Sequence, residues 1–168
     1  MSFRTIAPRE IPDNAFKLIG DDWMLVTAGD KAAYNTMTAS WGGIGVLWNK
    51  DVATCYVRPQ RYTFGFMEKS EYFTLSFFGE EFRPQLRLCG AKSGRDVDKV
   101  SECGFTTLFS EEGAPYFAEA RLVLICRTLY FDDIKPEKFL DPGIEKNYPA
   151  KDYHRMYIAE IVRALTKD

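Results

Sequence analysis

At 168 residues, 46% hydrophobic and 27% charged, the chain has the proportions of one globular domain spanning residues 1–168. A formal net charge of −2, with no block of basic residues, argues against nucleic acid or an anionic membrane surface as partner. Four widely spaced cysteines (Cys55, Cys89, Cys103, Cys126) and a single histidine, His154, match no structural zinc pattern and point to reduced thiols in the cytoplasm.

The first residues, "MSFRTIAPREIPDNAFKLI", form an extended, proline-containing lead-in without the apolar run of a signal peptide. "DWMLVTAG" (22–29) reads as a strand closing in a turn at Gly29-Asp30. "YNTMTASWGGIGVLW" (34–48) reads as a second strand that loosens at Gly42 and Gly43. It lies in a run free of charge from Ala32 to Asn49, yet Asn, Thr, Ser and Gly break that run too often for a membrane span. "DVATCYV" (51–57) alternates at period two as a third strand and stops before Pro59. "RYTFGFMEKS" (61–70) reads as a short helix starting at Thr63, with Phe64 and Met67 on its apolar face. "EYFTLSFF" (71–78) is a strong strand. "EEFRPQLRLCGAKSG" (80–94) predicts a short helix running into a loop, and "RDVDKVSEC" (95–103) another ending at Gly104. Two long strands close the chain, 119–134 and 152–165. Strands joined by turns and short helices, without β-α-β alternation, predict a mainly β, antiparallel, Greek-key-like barrel.

Several chemistries lack their motifs. No phosphate-binding G-x-x-x-x-G-K-[ST], no dinucleotide G-x-G-x-x-G and no G-x-S-x-G occur. What stands out is "NTMTASW" followed by "YVRPQRYT". In the first, Thr38, Ser40 and the backbone of a loosening strand can bond the polar edge of a flat ring, while Gly42 and Gly43 admit close approach. In the second, Arg58 and Arg61 bracket the stiff Pro59, and a helix beginning at Thr63 offers free N–H groups to a phosphate. An aromatic content of 15% favours sheets and flat ligands.

Taken in order, "NTMTASW", "YVRPQRYT", "KSGRDVDK" (92–99), "EARLVLIC" and "HRMYIAEI" resemble the flavin reductase-like family, most closely its flavoredoxin-type branch, from about residue 10 to residue 162. The resemblance implies an FMN-binding split β-barrel that works as a homodimer with the flavin near the subunit interface. It implies NAD(P)H-dependent flavin reduction, with NADH or NADPH as electron donor. Two alternatives are a flavoredoxin-like electron carrier serving a redox protein partner, and a non-catalytic flavin-binding module. Carried over by position, it places Asn35, Thr36, Met37, Thr38, Ala39, Ser40 and Trp41 against the isoalloxazine ring. Arg58, Arg61, Tyr62 and Thr63 fall at the phosphate and ribityl chain, Tyr56 and Val57 are among the cofactor-binding residues, and Cys89, Gly90, Lys92 and Ser93 cover the other side. Lys92 would tune the ring electrostatically and His154 would contact nicotinamide. Gln60 stands where many members carry Ser or Thr, and Tyr153-His154 where reductases often show Asp-His.

Overall fold

A computed structural model describes residues 2–167. Ten strands are present among these residues: β1 Arg4–Ile6, β2 Met24–Gly29, β3 Tyr34–Ala39, β4 Gly42–Leu47, β5 Lys50–Val57, β6 Tyr72–Phe77, β7 Thr107–Phe109, β8 Pro115–Phe117, β9 Leu122–Asp133 and β10 Arg155–Thr166. Three α-helices lie between them: α1 Tyr62–Lys69, α2 Arg83–Ala91 and α3 Lys99–Cys103. All strand pairs are antiparallel, as the absence of crossover helices predicts, and the main sheet runs β3-β2-β6-β9-β10-β5-β4, with β1 also on β10.

That order corrects the reading of 34–48 as one strand. β3 pairs only with β2 at one edge of the sheet, whereas β4 pairs only with β5 at the other. Ser40 and Trp41 carry the chain between the two edges, so the barrel is split at this corner. Gly42 is required there by a neighbour rather than a ligand: a Cβ would meet the Thr54 carbonyl oxygen at 2.7 Å. Gly43 has open space around it.

Period-two alternation divides the apolar residues between two cores. Val26, Ala28, Phe73, Leu75, Phe77, Leu124, Cys126 and Tyr157 fill the barrel interior. Leu25, Val123, Ile125 and Leu165 point outward and are covered by Leu86 and Cys89 of α2 together with Phe78, Phe105 and Phe117. Because both faces are buried, β2, β6 and the first five residues of β9 read as nearly continuous apolar runs. The outer core absorbs much of the aromatic content; the Phe78 and Phe105 rings stack at 5.2 Å and the Phe105 and Phe117 rings lie 5.1 Å apart.

The helix boundaries differ from expectation for local reasons. Arg61 occupies the N-cap of α1 in extended conformation, held by its N–H bonding the Arg58 carbonyl across Pro59, so Thr63 lies inside the first turn. Residues 94–96 form a turn and Val97 a bend, and only Lys99–Cys103 is helical, capped by the Asp98 carboxylate accepting from the Ser101 N–H and ended by Gly104 at φ 67°. β1, β7 and β8, at three residues each, are too short to show a period. A single π-turn at Lys17–Asp21 buries Leu18 and Ile19 within the lead-in. No helix of the described residues is long and apolar enough to cross a membrane.

Candidate functional site

The corner at Ser40-Trp41 opens onto two adjoining clefts. A narrow one of about 190 Å³ is lined by Met37 to Trp41, Tyr56, Arg58, Arg61 and His154. A wider, apolar one of about 620 Å³ shares Ser40, Trp41, Tyr56 and His154 and adds Phe16, Ile19, Gly42, Gly43, Ile44, Ile134 and Tyr148 among others. A third, of about 460 Å³, is lined by Asn35, Thr36, Tyr62, Phe66 and the segment 94–100. These volumes suit a small-molecule site.

Most of the hydroxyls of β3 serve the fold. Asn35 donates through Nδ2 to Thr63 Oγ1 at 2.8 Å, tying β3 to α1, and Thr36 bonds Thr27 and the Val26 carbonyl. Thr38 donates to the Leu86 carbonyl of α2. Ser40 is the one polar side chain of the four without a protein partner among the described residues, and it lines both adjoining clefts. A ligand along β3 therefore meets Ser40, Trp41 and main chain rather than a row of hydroxyls. Gly90 packs on this strand so closely that a Cβ would lie 3.3 Å from Thr38 Cβ, and at Gly94 a Cβ would collide with Asn35.

The two arginines of the turn have different tasks. Arg58 is already neutralised: Nη1 bonds Asp152 at 2.8 Å, Nη2 bonds the Asn147 carbonyl at 2.9 Å, and the guanidinium lies 4.9 Å from the Tyr148 ring centroid. Gln60 also donates to Asp152. Among the described residues Arg61 hydrogen-bonds only backbone carbonyls, Gly90 at 3.2 Å and Cys89 at 3.5 Å. Burial and the neighbouring Arg58 push its pKa down. No side chain caps α1, whose N-terminal amides lie beside Arg61.

Lys99 is the residue that sequence reasoning missed. It is 4% exposed, and its ammonium donates to the Thr36 and Cys89 carbonyls at 2.9 Å each. Burial, with Arg61 second, lowers its pKa to about 8. Lying between Asp98 and a helix, it reads as a solvated lysine. The signal was its place in the first turn of that helix, where the dipole disfavours a cation. Lys92, by contrast, pairs with Glu102 at 3.0 Å, is half exposed and lines none of the three clefts.

The remaining candidates sort by geometry. Tyr56 and His154 face the adjoining clefts, whereas Val57 is fully buried in the barrel core. Tyr62 lines the third cleft under the Arg95 guanidinium, 5.0 Å from its ring centroid. Ser93 Oγ accepts from the Arg95 N–H and shapes the 92–98 turn. The His154 ring, 5.1 Å from that of Trp41, is joined through Nδ1 to the Tyr148 hydroxyl at 2.8 Å. Burial, then Arg58, lowers its pKa to about 4, so it is neutral at ordinary pH.

Two cations, Arg61 in the narrow cleft at the uncapped start of α1 and Lys99 in the third cleft, share the Cys89 carbonyl, and among the described residues neither pairs with a carboxylate. That is an anion-holding arrangement, and beside it lies an apolar cleft with an aromatic wall. The fold is the split β-barrel of flavin-binding proteins. The chain belongs to the family described as the flavin reductase like domain, whose model matches residues 18–168. Comparison with curated protein sequences finds no match. Among solved structures it is similar to a flavoredoxin from Methanosarcina acetivorans, with 22% identity, a TM-score of 0.68, and 88% of this chain and 69% of that one covered. It is similar to an FMN-binding protein from Thermus thermophilus, with 19% identity, a TM-score of 0.69, and coverages of 97% and 81%. It is also similar to an NADH:FAD oxidoreductase from Streptomyces globisporus, with 18% identity, a TM-score of 0.64, and coverages of 87% and 75%.

Proposed function

We propose that the chain binds FMN and acts as an NAD(P)H-dependent flavin oxidoreductase. The observation that carries this reading is the Arg61–Lys99 pair, two desolvated cations that share the Cys89 carbonyl and have no carboxylate partner among the described residues, with Arg61 at the open start of α1. A phosphate supplies the missing negative charge and accepts from both side chains and the helix amides. FMN, when bound, supplies a ring that takes hydride at N5 and passes the electrons on. The chain's own contribution is to position and exclude. Arg61 and Lys99 fix one end of the ligand, while Trp41, Tyr56 and the main chain of β3 present a flat wall. Neutral His154, held by Tyr148, keeps that wall uncharged at the side where nicotinamide would enter. The four free thiols support a reducing compartment, the cytoplasm.

The activity is tested by loading the purified protein with FMN and mixing it with NADH or NADPH in a stopped-flow instrument. Rapid bleaching of the flavin absorbance is expected with at least one donor. Bleaching only by dithionite or a reduced redox protein favours the flavoredoxin-like carrier. Tight binding without any competent donor leaves a flavin-binding module.

The same reading includes a homodimer. Val46, Leu47 and Trp48 at the β4–β5 hairpin and Tyr130 and Phe131 of β9 are exposed apolar side chains, and the Trp48 and Tyr130 rings lie 6.1 Å apart. Trp48 and Asn49 turn the hairpin with φ of 52° and 57°, a left-handed conformation that disfavours bulky side chains. A tryptophan kept there, 53% exposed, suits contact with a second copy better than it suits the monomer. Light scattering at micromolar concentration is expected to give twice the mass of one chain, falling to one chain in Trp48→Asp. A wild-type monomer that still holds flavin counts directly against the dimer.

A further inference from the structure

Cys89 near the end of α2 and Cys103 at the end of α3 are free thiols with their Sγ atoms 3.6 Å apart. This is contact distance, and closing it to the roughly 2.05 Å of a disulfide takes a movement of about 1.5 Å shared between two side chains. The two thiols differ in access. Cys89 is fully buried, while Cys103 is part-exposed and directs a weak S–H contact at the Gln85 carbonyl, 3.8 Å away. An accessible sulfur backed by a buried one is the arrangement of an attacking and a resolving cysteine.

We propose that Cys89 and Cys103 are a reversible dithiol modification site that closes to an intramolecular disulfide on two-electron oxidation by hydrogen peroxide. The Cys103 thiolate attacks one peroxide oxygen; the S–O bond forms, the O–O bond breaks, and hydroxide leaves and takes a proton to become water. The Cys89 sulfur then attacks the Cys103 sulfenic sulfur, the S–S bond forms, and the second oxygen leaves as water with the Cys89 proton. In sum the two thiols lose two electrons and two protons, and the peroxide becomes two waters. Burial raises both thiol pKa values, that of Cys89 to about 12, which keeps the pair reduced until a strong oxidant is present; Lys99 works in the opposite direction on both.

The bond encloses residues 89–103, the segment that lines the third cleft. Cys89 also offers its carbonyl to both Lys99 and Arg61, so the disulfide would form on the same residue that holds the two cations. The proposal concerns the thiols alone and does not depend on the flavin assignment.

The test is to treat the folded full chain with a small excess of peroxide, quench, and alkylate without reductant. Expected is a mass loss of 2 Da, without an oxygen adduct, that dithiothreitol reverses. Trypsin should then release peptides 88–92 and 100–121 joined by a disulfide. In the native oxidised protein, cleavage after Arg95 should be slower than in the reduced form. Cys103→Ser, at a part-exposed site, should fold and show no mass loss. An oxygen adduct on Cys103 with Cys89 still open to alkylation overturns the proposal. So does a link through Cys55 or Cys126, or an unchanged 2 Da loss in Cys103→Ser.

Discussion

Arg61→Ala is expected to weaken FMN binding about tenfold to a hundredfold, while riboflavin, which lacks the phosphate, binds nearly as before. The guanidinium has no carboxylate partner among the described residues and spends itself only on the Gly90 and Cys89 carbonyls. A charge-assisted bond from it to phosphate is worth roughly 1.5–3 kcal/mol, which sets the size of the effect. The corresponding change at Arg58 acts differently, because Arg58 holds Asp152 and the Asn147 carbonyl. Arg58→Ala should lower the melting temperature and weaken both ligands together. Fluorescence titration of each variant with FMN and riboflavin separates the two. Equal losses of FMN and riboflavin in Arg61→Ala would remove that side chain from the phosphate.

The second large effect is at Lys99 and is read against pH. With its pKa lowered to about 8, Lys99 loses its charge in the folded protein well before it would in the unfolded chain, near 10.4. Between those values the unfolded chain binds more protons, so the Lys99 contribution makes stability rise with pH over that window. Ligand binding runs the other way. An FMN phosphate, already doubly ionised above neutral pH, favours charged Lys99, so affinity should fall above pH 8 and level off about tenfold weaker once Lys99 is uncharged. Lys99→Met should bind FMN about tenfold more weakly at pH 7 and lose this fall. Dissociation constants measured from pH 7 to 9.5 in both proteins decide it. An identical slope in wild type and Lys99→Met would place the titrating group elsewhere.

Much of the fold was legible because it rests on local pattern. β5 alternates cleanly, and β6 and β9 are too apolar and β-branched or aromatic to be anything but buried strands. The break between β3 and β4 was not legible, because leaving one sheet edge for the other is a long-range event and Gly42-Gly43 reads the same in a bent strand. The grouping of some candidate side chains was legible in outline. Trp41, Tyr56, Arg61 and His154 do meet at one cleft. Which polar groups remain available could not be read, since that depends on partners distant in sequence: Thr38 is taken by Leu86, Asn35 by Thr63 and Arg58 by Asp152. The burial of the two lysines could not be read for the same reason. Lys92 and Lys99 sit in one short segment, and only the packing of α3 against β3 decides which is buried and which is solvated.

The order of strands also dictates when the site comes into being. Its two borders, β3 and β4, are neighbours in the chain but lie at opposite ends of the sheet, with β2, β6, β9, β10 and β5 between them. During synthesis the early hairpins can form at once, yet nothing sets their separation until the final strand has emerged and paired with both β9 and β5. His154 and the Asp152 that orients Arg58 arrive only with that same last stretch. Capture of a ligand at this cleft would therefore have to wait for the carboxyl-terminal residues. A chain released early, short of β10, would carry most of the cleft's side chains and no cleft.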